Sequence, residues 1–317
     1  MRYLLALLLL ALPFAVPAQV LQPGATDRIF QMPNGAAFFE VFLGLLRIGV
    51  IPIMALPPHR ETELSHFTRF GGARALFIPQ QVGAFDFRPM AEAVRVAAPT
   101  LEHVFVEGEA LDGQISLPAL RATDAAAGDV DAVERMALDA GDVALMLLSG
   151  GTTALPKLIP RTHNDYVYNF TRSAEIAGFD ADTVLLVSLP LAHNYNLGSP
   201  GALGALAMGG RLVVSPKTDA ATVFGLVARE RVTAIPAAVP LVVNWLNDPT
   251  IASYDTSSLK LVQNGGALTH TSRSGVADLA FDNDVQALSE IRRFVDFLPL
   301  SNREKPPVRP SFDDVDR

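Results

Sequence analysis

Between Asn34 and Val262 the hydrophobic positions of this chain switch repeatedly between two periods. Phe38, Phe39, Phe42, Leu45 and Leu46 recur at helical spacing and end at Gly49, with Asn34 read as the N-cap. Short apolar runs predict strands at Val50–Leu56, Arg74–Ile78, His103–Val106, Val143–Leu148, Val184–Leu189, Leu212–Ser215, Val232–Ile235 and Leu259–Val262. Helical patterns fall between them: Arg60 to Phe70, stopping at Gly71-Gly72; a helix to Ala177 opened by a Thr162/Asp165 capping box; Asn196 to Met208; and Asp219 to Glu230. Lys157 to Pro160 reads as extended, and Ala110 to Asp142 as a surface connection with one short helix. Alternating strands and helices predict an α/β fold with parallel-rich sheets and covering helices. The chain carries no internal repeat.

The two ends break this pattern. Arg2 precedes an apolar stretch from Leu4 to Val16, and Val16-Pro17-Ala18 offers a small-residue cleavage site, so residues 1–18 have the layout of a signal peptide and are too short to span a membrane. A buried helix or a misassigned start codon is the alternative. Near the other end, Asp282 can cap a helix with Val285, Leu288, Ile291 and Val295 on one face, and Pro306 to Pro310 reads as extended.

Composition narrows the functional classes. Half of the 317 residues are apolar and 18% are charged, which suits a large packed core and excludes a disordered chain. The net charge of −8 and the lack of a basic stripe argue against a nucleic-acid partner. With no cysteine there is neither a disulfide nor a thiolate site. His59 and His66 lie seven apart with no third ligand, so no metal-binding residue is assigned. Trp245 reads as core, and His163 and Asp165 as groups at a helix start.

The densest candidate chemistry is Ser149-Gly150-Gly151-Thr152-Thr153-Ala154-Leu155-Pro156-Lys157, directly after the buried strand at Val143–Leu148. Glycines let backbone N–H groups converge on an anion, while hydroxyls and an ammonium add donors and charge. This is a phosphate-cradling loop without Walker A spacing. A glycine-rich turn joining two strands is the plainer alternative. A second candidate, His193-Asn194-Tyr195, follows the strand that ends near Pro190. On pattern alone a lone histidine there is more often a hydrogen-bonded structural group. Ser199 reads equally well as a helix N-terminal residue.

The runs SGGTTALPKLIPRTHNDY (149–166) and PLAHNYNLGSPG (190–201) resemble those of the aryl-acid–AMP ligases of siderophore biosynthesis, a branch of the adenylate-forming enzymes. The resemblance extends from Asp27 to Ala267. It implies the large domain of that fold, incomplete and without the C-terminal lid domain. It also implies ATP-dependent activation of 2,3-dihydroxybenzoate or salicylate to an acyl-adenylate, with ATP and Mg2+ as cofactors. An aryl carrier protein bearing phosphopantetheine would be the partner, and the cytoplasm the setting. By the resemblance, Ser149, Gly150, Gly151, Thr152, Thr153 and Lys157 hold the triphosphate, and Gly265 and Gly266 lie beside the nucleotide. His193 is assigned as catalytic and, with Tyr195, lines the substrate entrance. Asn194 bonds the ortho-hydroxyl of the aryl acid, with Ser199 and Ala267 completing the pocket.

Departures from the family pattern accompany the match. Ala154 stands where the family usually has glycine, and one residue fewer separates Arg28 from Gln31, which would turn the following side chains to the opposite face of a strand. No ribose-binding Tyr-x-Thr-Gly-Asp segment follows Gly265-Gly266-Ala267. Residues 268–317 instead resemble a carboxyltransferase β-type subunit of an acyl-CoA carboxylase. The expected organisation is a leader (1–18), a partial adenylation domain (19–267) and a carboxyltransferase-like tail (268–317), a composite with joins near Arg28 and Ala267. Little adenylate formation is expected of the isolated chain. The alternatives are an exported, non-catalytic aryl-acid-binding protein, for which the leader argues, and a composite non-functional fragment.

Overall fold

The computed structural model describes residues 27–123, 127–149 and 156–265. The leader, the glycines and threonines of the 149–157 loop, and the tail lie outside the described residues, as do Gly266 and Ala267.

Two sheets carry the described fold. The first has seven strands: β1 (Asp27–Phe30), β2 (Ile51–Met54), β3 (Ala75–Pro79), β6 (His103–Glu107), β7 (Ile115–Ser116), β8 (Val143–Leu148) and β9 (Leu158–Thr162), in the order β7-β6-β3-β1-β2-β8-β9. All its recorded pairings are parallel except β8 with β9, which is antiparallel. A small hairpin, β4 (Gln81–Val82) with β5 (Phe85–Asp86), projects after β3. The second sheet, in the order β11-β10-β12-β13, contains β10 (Val184–Val187), β11 (Arg211–Val214), β12 (Ala234–Ala238) and β13 (Leu261–Gly265). β10 runs parallel to both β11 and β12.

Helices cover these sheets because their apolar stripes have nowhere else to go. α1 (Ala36–Arg47) buries Phe38, Val41, Phe42 and Leu45. The Phe38 and Phe30 rings meet edge to face with centroids 4.9 Å apart. That core continues through Phe77 to Tyr166 of α6 (His163–Ile176), Leu185 and Val187 of β10, and Ala202 of α8 (Gly201–Ala207), so one layer serves both sheets. Truncating a ring such as Phe30 costs about 3–5 kcal/mol in a core of this density. On the other face of the first sheet, Ile29, Ile53 and Leu76 pack on α2 (Glu61–Gly71) and α3 (Arg88–Ala97). The far face of the second sheet packs on α9 (Ala220–Glu230) and α10 (Val239–Leu246), where Trp245 is buried and donates to Thr218 O at 2.8 Å.

Several expectations need correction. The segment before Val143 contains β7 and two short helices, α4 (Leu117–Arg121) and α5 (Ala127–Glu134), where one was expected. The helix expected from Asn196 to Met208 is two: α7 (Asn194–Gly198) and α8, separated at the cis Ser199-Pro200 bond. Proline lacks the N–H that a continuing helix needs, and disfavours helical backbone in the residue before it. The Thr162/Asp165 box is half made. Thr162 Oγ1 accepts from the Asp165 amide at 3.1 Å, but the Asp165 carboxylate turns to Arg161. At Arg28, β1 keeps an unbroken register against β2 from Asp27↔Ile51 to Phe30↔Met54. Both faces of this strand are covered, with Ile29 on one core and Phe30 on the other, so a shift in phase exposes no apolar side chain. Arg28 in this strand is itself buried, 3% exposed.

Asn34 does not cap α1. The helix begins after Gly35 with no side-chain cap bond. The Asn34 amide instead donates from Nδ2 to Leu189 O and accepts at Oδ1 from the Leu191 amide, both at 2.8 Å. It thereby clasps the turn after β1 to the turn after β10. Asn34→Ala removes both bonds and leaves two partly buried backbone groups without them. A loss of about 2–3 kcal/mol is expected, read as a lower urea midpoint at unchanged slope; an unchanged midpoint would show that the clasp contributes nothing.

Candidate functional site

Parallel strands place their carboxyl ends on one edge. The turn bearing Asn34 follows β1, and the loop between Ser149 and Lys157 follows β8, on the same edge of the first sheet. The segment from Ser188 to Ser199 follows β10 in the second sheet, and the Asn34 clasp joins it to the first. Crevices beyond the carboxyl ends of parallel strands are where α/β folds bind ligands.

The stem of the phosphate-loop candidate is closed by two bonds. The Ser149 amide donates to Lys157 O at 3.0 Å, and the Lys157 amide donates to Ser149 Oγ at 2.9 Å. Lys157 is exposed, and among the described residues no carboxylate pairs with it. Ser149 and Lys157 are thus brought together, while Gly150, Gly151, Thr152 and Thr153 fall outside the described residues.

The second candidate is a linked cluster. His193 caps α7, its Nδ1 accepting from the Tyr195 amide at 3.2 Å, so the neutral ring carries its proton on Nε2. Asn194 opens the helix. Its Oδ1 accepts from Tyr166 Oη at 3.0 Å and its Nδ2 donates to Ser199 Oγ at 3.1 Å. Tyr195 Oη donates to Gln263 O, and Gln263 Nε2 donates to Ser199 O, both at 2.6 Å. These two bonds tie the helix to β13, the strand that ends at Gly265. Asn169 Nδ2 donates to Gly198 O at 2.6 Å, and a Cβ on Gly198 would lie 2.6 Å from Tyr166 Oη, so only glycine lets that hydroxyl reach Asn194. Gly201 is also required: its φ is +54°, and a Cβ there would meet Asn196 O at 2.4 Å.

Asn194, Tyr195 and Ser199 are therefore gathered as the sequence suggested, and His193 adjoins them as the cap. Of the residues that hold them and their segment, Tyr166 and Gln263 were not singled out, and Asn34 was read only as a helix cap. Tyr166 closes the first quoted run and Gln263 stands two places before Gly265, but their partners lie 28 and 64 or more residues away, beyond any local pattern.

The sequence matches the family described as AMP-binding enzyme over residues 21–273. The chain belongs to the AMP-binding enzyme family. Within that family, it is 43% identical over 242 residues to the 2,3-dihydroxybenzoate-AMP ligase of Bacillus subtilis, an alignment covering 76% of this chain and 43% of the relative. It is 39% identical to the salicyl-AMP ligase/salicyl-S-ArCP synthetase of Mycobacterium tuberculosis, covering 76% and 42% respectively. The apo structure of MbtA from Mycobacterium smegmatis superposes with a TM-score of 0.72 at 36% identity, over 84% of this chain and 46% of that one. The fold is thus that of the adenylate-forming enzymes, and the chain spans less than half the length of these relatives. A second family, described as carboxyl transferase domain, matches residues 252–317. Among the described residues, no helix is long and apolar enough to cross a membrane, and no cluster of three or more acidic or histidine side chains could hold a metal.

Burial lowers the pKa of His59, His103 and His193 below the ordinary imidazole value. For two of them the hydrogen bonds agree: Nδ1 of His59 accepts from the Leu56 amide at 3.0 Å, as Nδ1 of His193 accepts from Tyr195, and protonation would set donor against donor. A depressed folded pKa means that the unfolded chain takes up protons first, so stability is complete above about pH 6.5 and falls as the pH drops below it. The carboxylates with lowered pKa, such as Glu63 and Glu102, act only at still lower pH. The urea midpoint should therefore decline between pH 6.5 and pH 5, and His59→Gln should flatten the decline. A midpoint constant over that range would contradict this assignment.

Proposed function

We propose that residues 19–267 bind 2,3-dihydroxybenzoate or salicylate and activate its carboxylate with ATP, as a step in making a siderophore. The observation that carries this reading is the Asn194 amide, held between the Tyr166 and Ser199 hydroxyls at the carboxyl edge of the second sheet. Its unused N–H can meet a ring hydroxyl, and an amide left without that partner disfavours a ring that lacks it. The names of the B. subtilis and M. tuberculosis relatives support the same substrate class.

In this reading an oxygen of the aryl carboxylate attacks the α-phosphorus of ATP. The bond from that phosphorus to the bridging oxygen breaks, giving acyl-adenylate and pyrophosphate. The donor set fits a polyphosphate: Ser149 Oγ, whose proton has no acceptor among the described residues, and an exposed Lys157 without a carboxylate partner among them. Gly150, Gly151, Thr152 and Thr153 would supply further amide and hydroxyl donors, and Gly265 and Gly266 a flat wall beside the nucleotide. Mg2+, when bound with ATP, would neutralise charge on the phosphates. His193 would direct its Nε2–H toward the reacting carboxylate, Tyr195 would wall the ring, and Ser199 and Ala267 would close the pocket. The acyl-adenylate is an electrophile suited to the phosphopantetheine thiol of an aryl carrier protein. The overlap of the two family matches at residues 252–273 supports a junction of ligase-like and carboxyltransferase-like sequence there.

An exported, non-catalytic aryl-acid binder would use the same pocket, and the leader-like residues 1–18 favour that second reading. Calorimetric titration of the purified chain should show salicylate binding at least about tenfold more tightly than benzoate, with Asn194→Ala erasing the difference. Equal affinity for the two acids would overturn the aryl-acid reading. Salicylate-dependent ATP–pyrophosphate exchange separates the two functions: exchange supports the ligase, and binding without exchange supports the binder.

A further inference from the structure

Tyr166 is given no contact with a ligand in the functional reading above, yet it is closely held beside Asn194. It is 3% exposed, its ring packs edge to face on Phe170, and the Arg161 guanidinium lies over it at 5.5 Å. Its hydroxyl bonds only to Asn194 Oδ1 among the described residues. Ser199, on the other side of the same amide, is half-buried.

The two hydroxyls do not constrain the amide equally. Ser199 Oγ can rotate to accept from an amide N–H or to donate to an amide oxygen, so either orientation of Asn194 satisfies it. Tyr166 is buried, and burial pushes its pKa far up, so it keeps its proton and must place it on an acceptor. With the amide turned over, that proton would face an NH2 group and a buried donor would go unpaired. Tyr166 therefore holds the carbonyl end of Asn194 toward the interior and the NH2 end toward the half-buried side. Among the described residues, one hydrogen of Nδ2 remains without a partner after the bond to Ser199.

We infer that Tyr166 is a positioning residue that sets the polarity of the Asn194 amide, so that the site accepts an aryl acid with an ortho oxygen and rejects one with an ortho amino group. The inference rests on the aryl-acid reading of the site. In salicylate the ortho hydroxyl gives its proton to the neighbouring carboxylate and turns a lone pair outward, which the free Nδ2–H can meet. In 2-aminobenzoate one N–H takes the carboxylate and the other points outward, while the nitrogen lone pair is drawn into the ring. That outward N–H would confront Nδ2–H, donor against donor. Gly198 serves the same end, since a Cβ at this position would collide with Tyr166 Oη.

The test is a titration of the full chain with salicylate, 2-aminobenzoate and benzoate, carried out on the unmodified protein, Tyr166→Phe and Gly198→Ala. The ratio of salicylate to 2-aminobenzoate affinity is the readout, because general loosening of the pocket would weaken both acids together. The unmodified chain should prefer salicylate by at least about tenfold, and each variant should bring the ratio toward one by gaining 2-aminobenzoate affinity. Equal affinity of the unmodified chain for these two acids, with benzoate much weaker, overturns the inference and leaves the aryl-acid reading standing. So does a ratio unchanged in a folded variant. Failure of the unmodified chain to bind any of the three acids overturns both, and needs no variant to fold.

Discussion

The side-chain amide of Asn34 makes two hydrogen bonds to backbone groups of Leu189 and Leu191, more than 150 residues downstream in the chain. A seven-stranded and a four-stranded sheet can share a layer of helices at many mutual offsets, because apolar packing is non-directional. A pair of bonds with fixed donor and acceptor ends is directional. It sets the turn after β1 against the turn after β10, and among the described residues Ser149, His193, Asn194, Tyr195 and Ser199 all lie in segments that follow the carboxyl ends of β8 and β10. The shared core of Phe30, Phe38, Leu185 and Val187 supplies the bulk of the attraction between the layers. The clasp decides where along that interface they stop.

From this anchor the candidate pocket is built outward by polar links. His193 caps α7, Asn194 is caught between Tyr166 and Ser199, and Tyr195 and Gln263 tie the helix to β13. The glycines at 198 and 201 are where backbone and side chains approach too closely for any Cβ. Polar groups arranged this way are already paired in the free chain, so in the proposed reading recognition would depend on the valences left over. For Asn194 that is one N–H, with its direction set by a tyrosine that cannot afford to leave its own proton unpaired.

Much of the fold was legible in the chain, for physical reasons that also explain the rest. The runs at Val143–Leu148 and Val184–Leu189 became β8 and β10, since parallel strands covered on both faces are apolar throughout. Thr162 caps its helix as its local spacing suggested, and the helix expected from Asp219 begins one residue later with Asp219 as its cap. The 4-residue strand β1 and the hairpin at 81–86 were too short to carry a period. Ser199-Pro200 was a readable signal for the break between α7 and α8, overridden by the apolar stretch around it. Asn34 shows the deeper limit: an asparagine just before a helix usually caps it, and only a partner 155 residues away reveals that it does not. The candidate site's motif residues were proposed by resemblance; the side chains that bond them, Tyr166 and Gln263, were not legible, because a hydrogen bond between distant segments leaves no local spacing.

Amide hydrogen exchange at Leu191 tests the clasp most directly, since its N–H donates to Asn34 Oδ1. The account predicts that this amide exchanges slowly in the intact chain and at an unprotected rate in Asn34→Ala, while the β10 amides from Leu185 to Val187 stay slow in both. A Leu191 amide that exchanges freely in the intact chain, or that stays slow without Asn34, would contradict it.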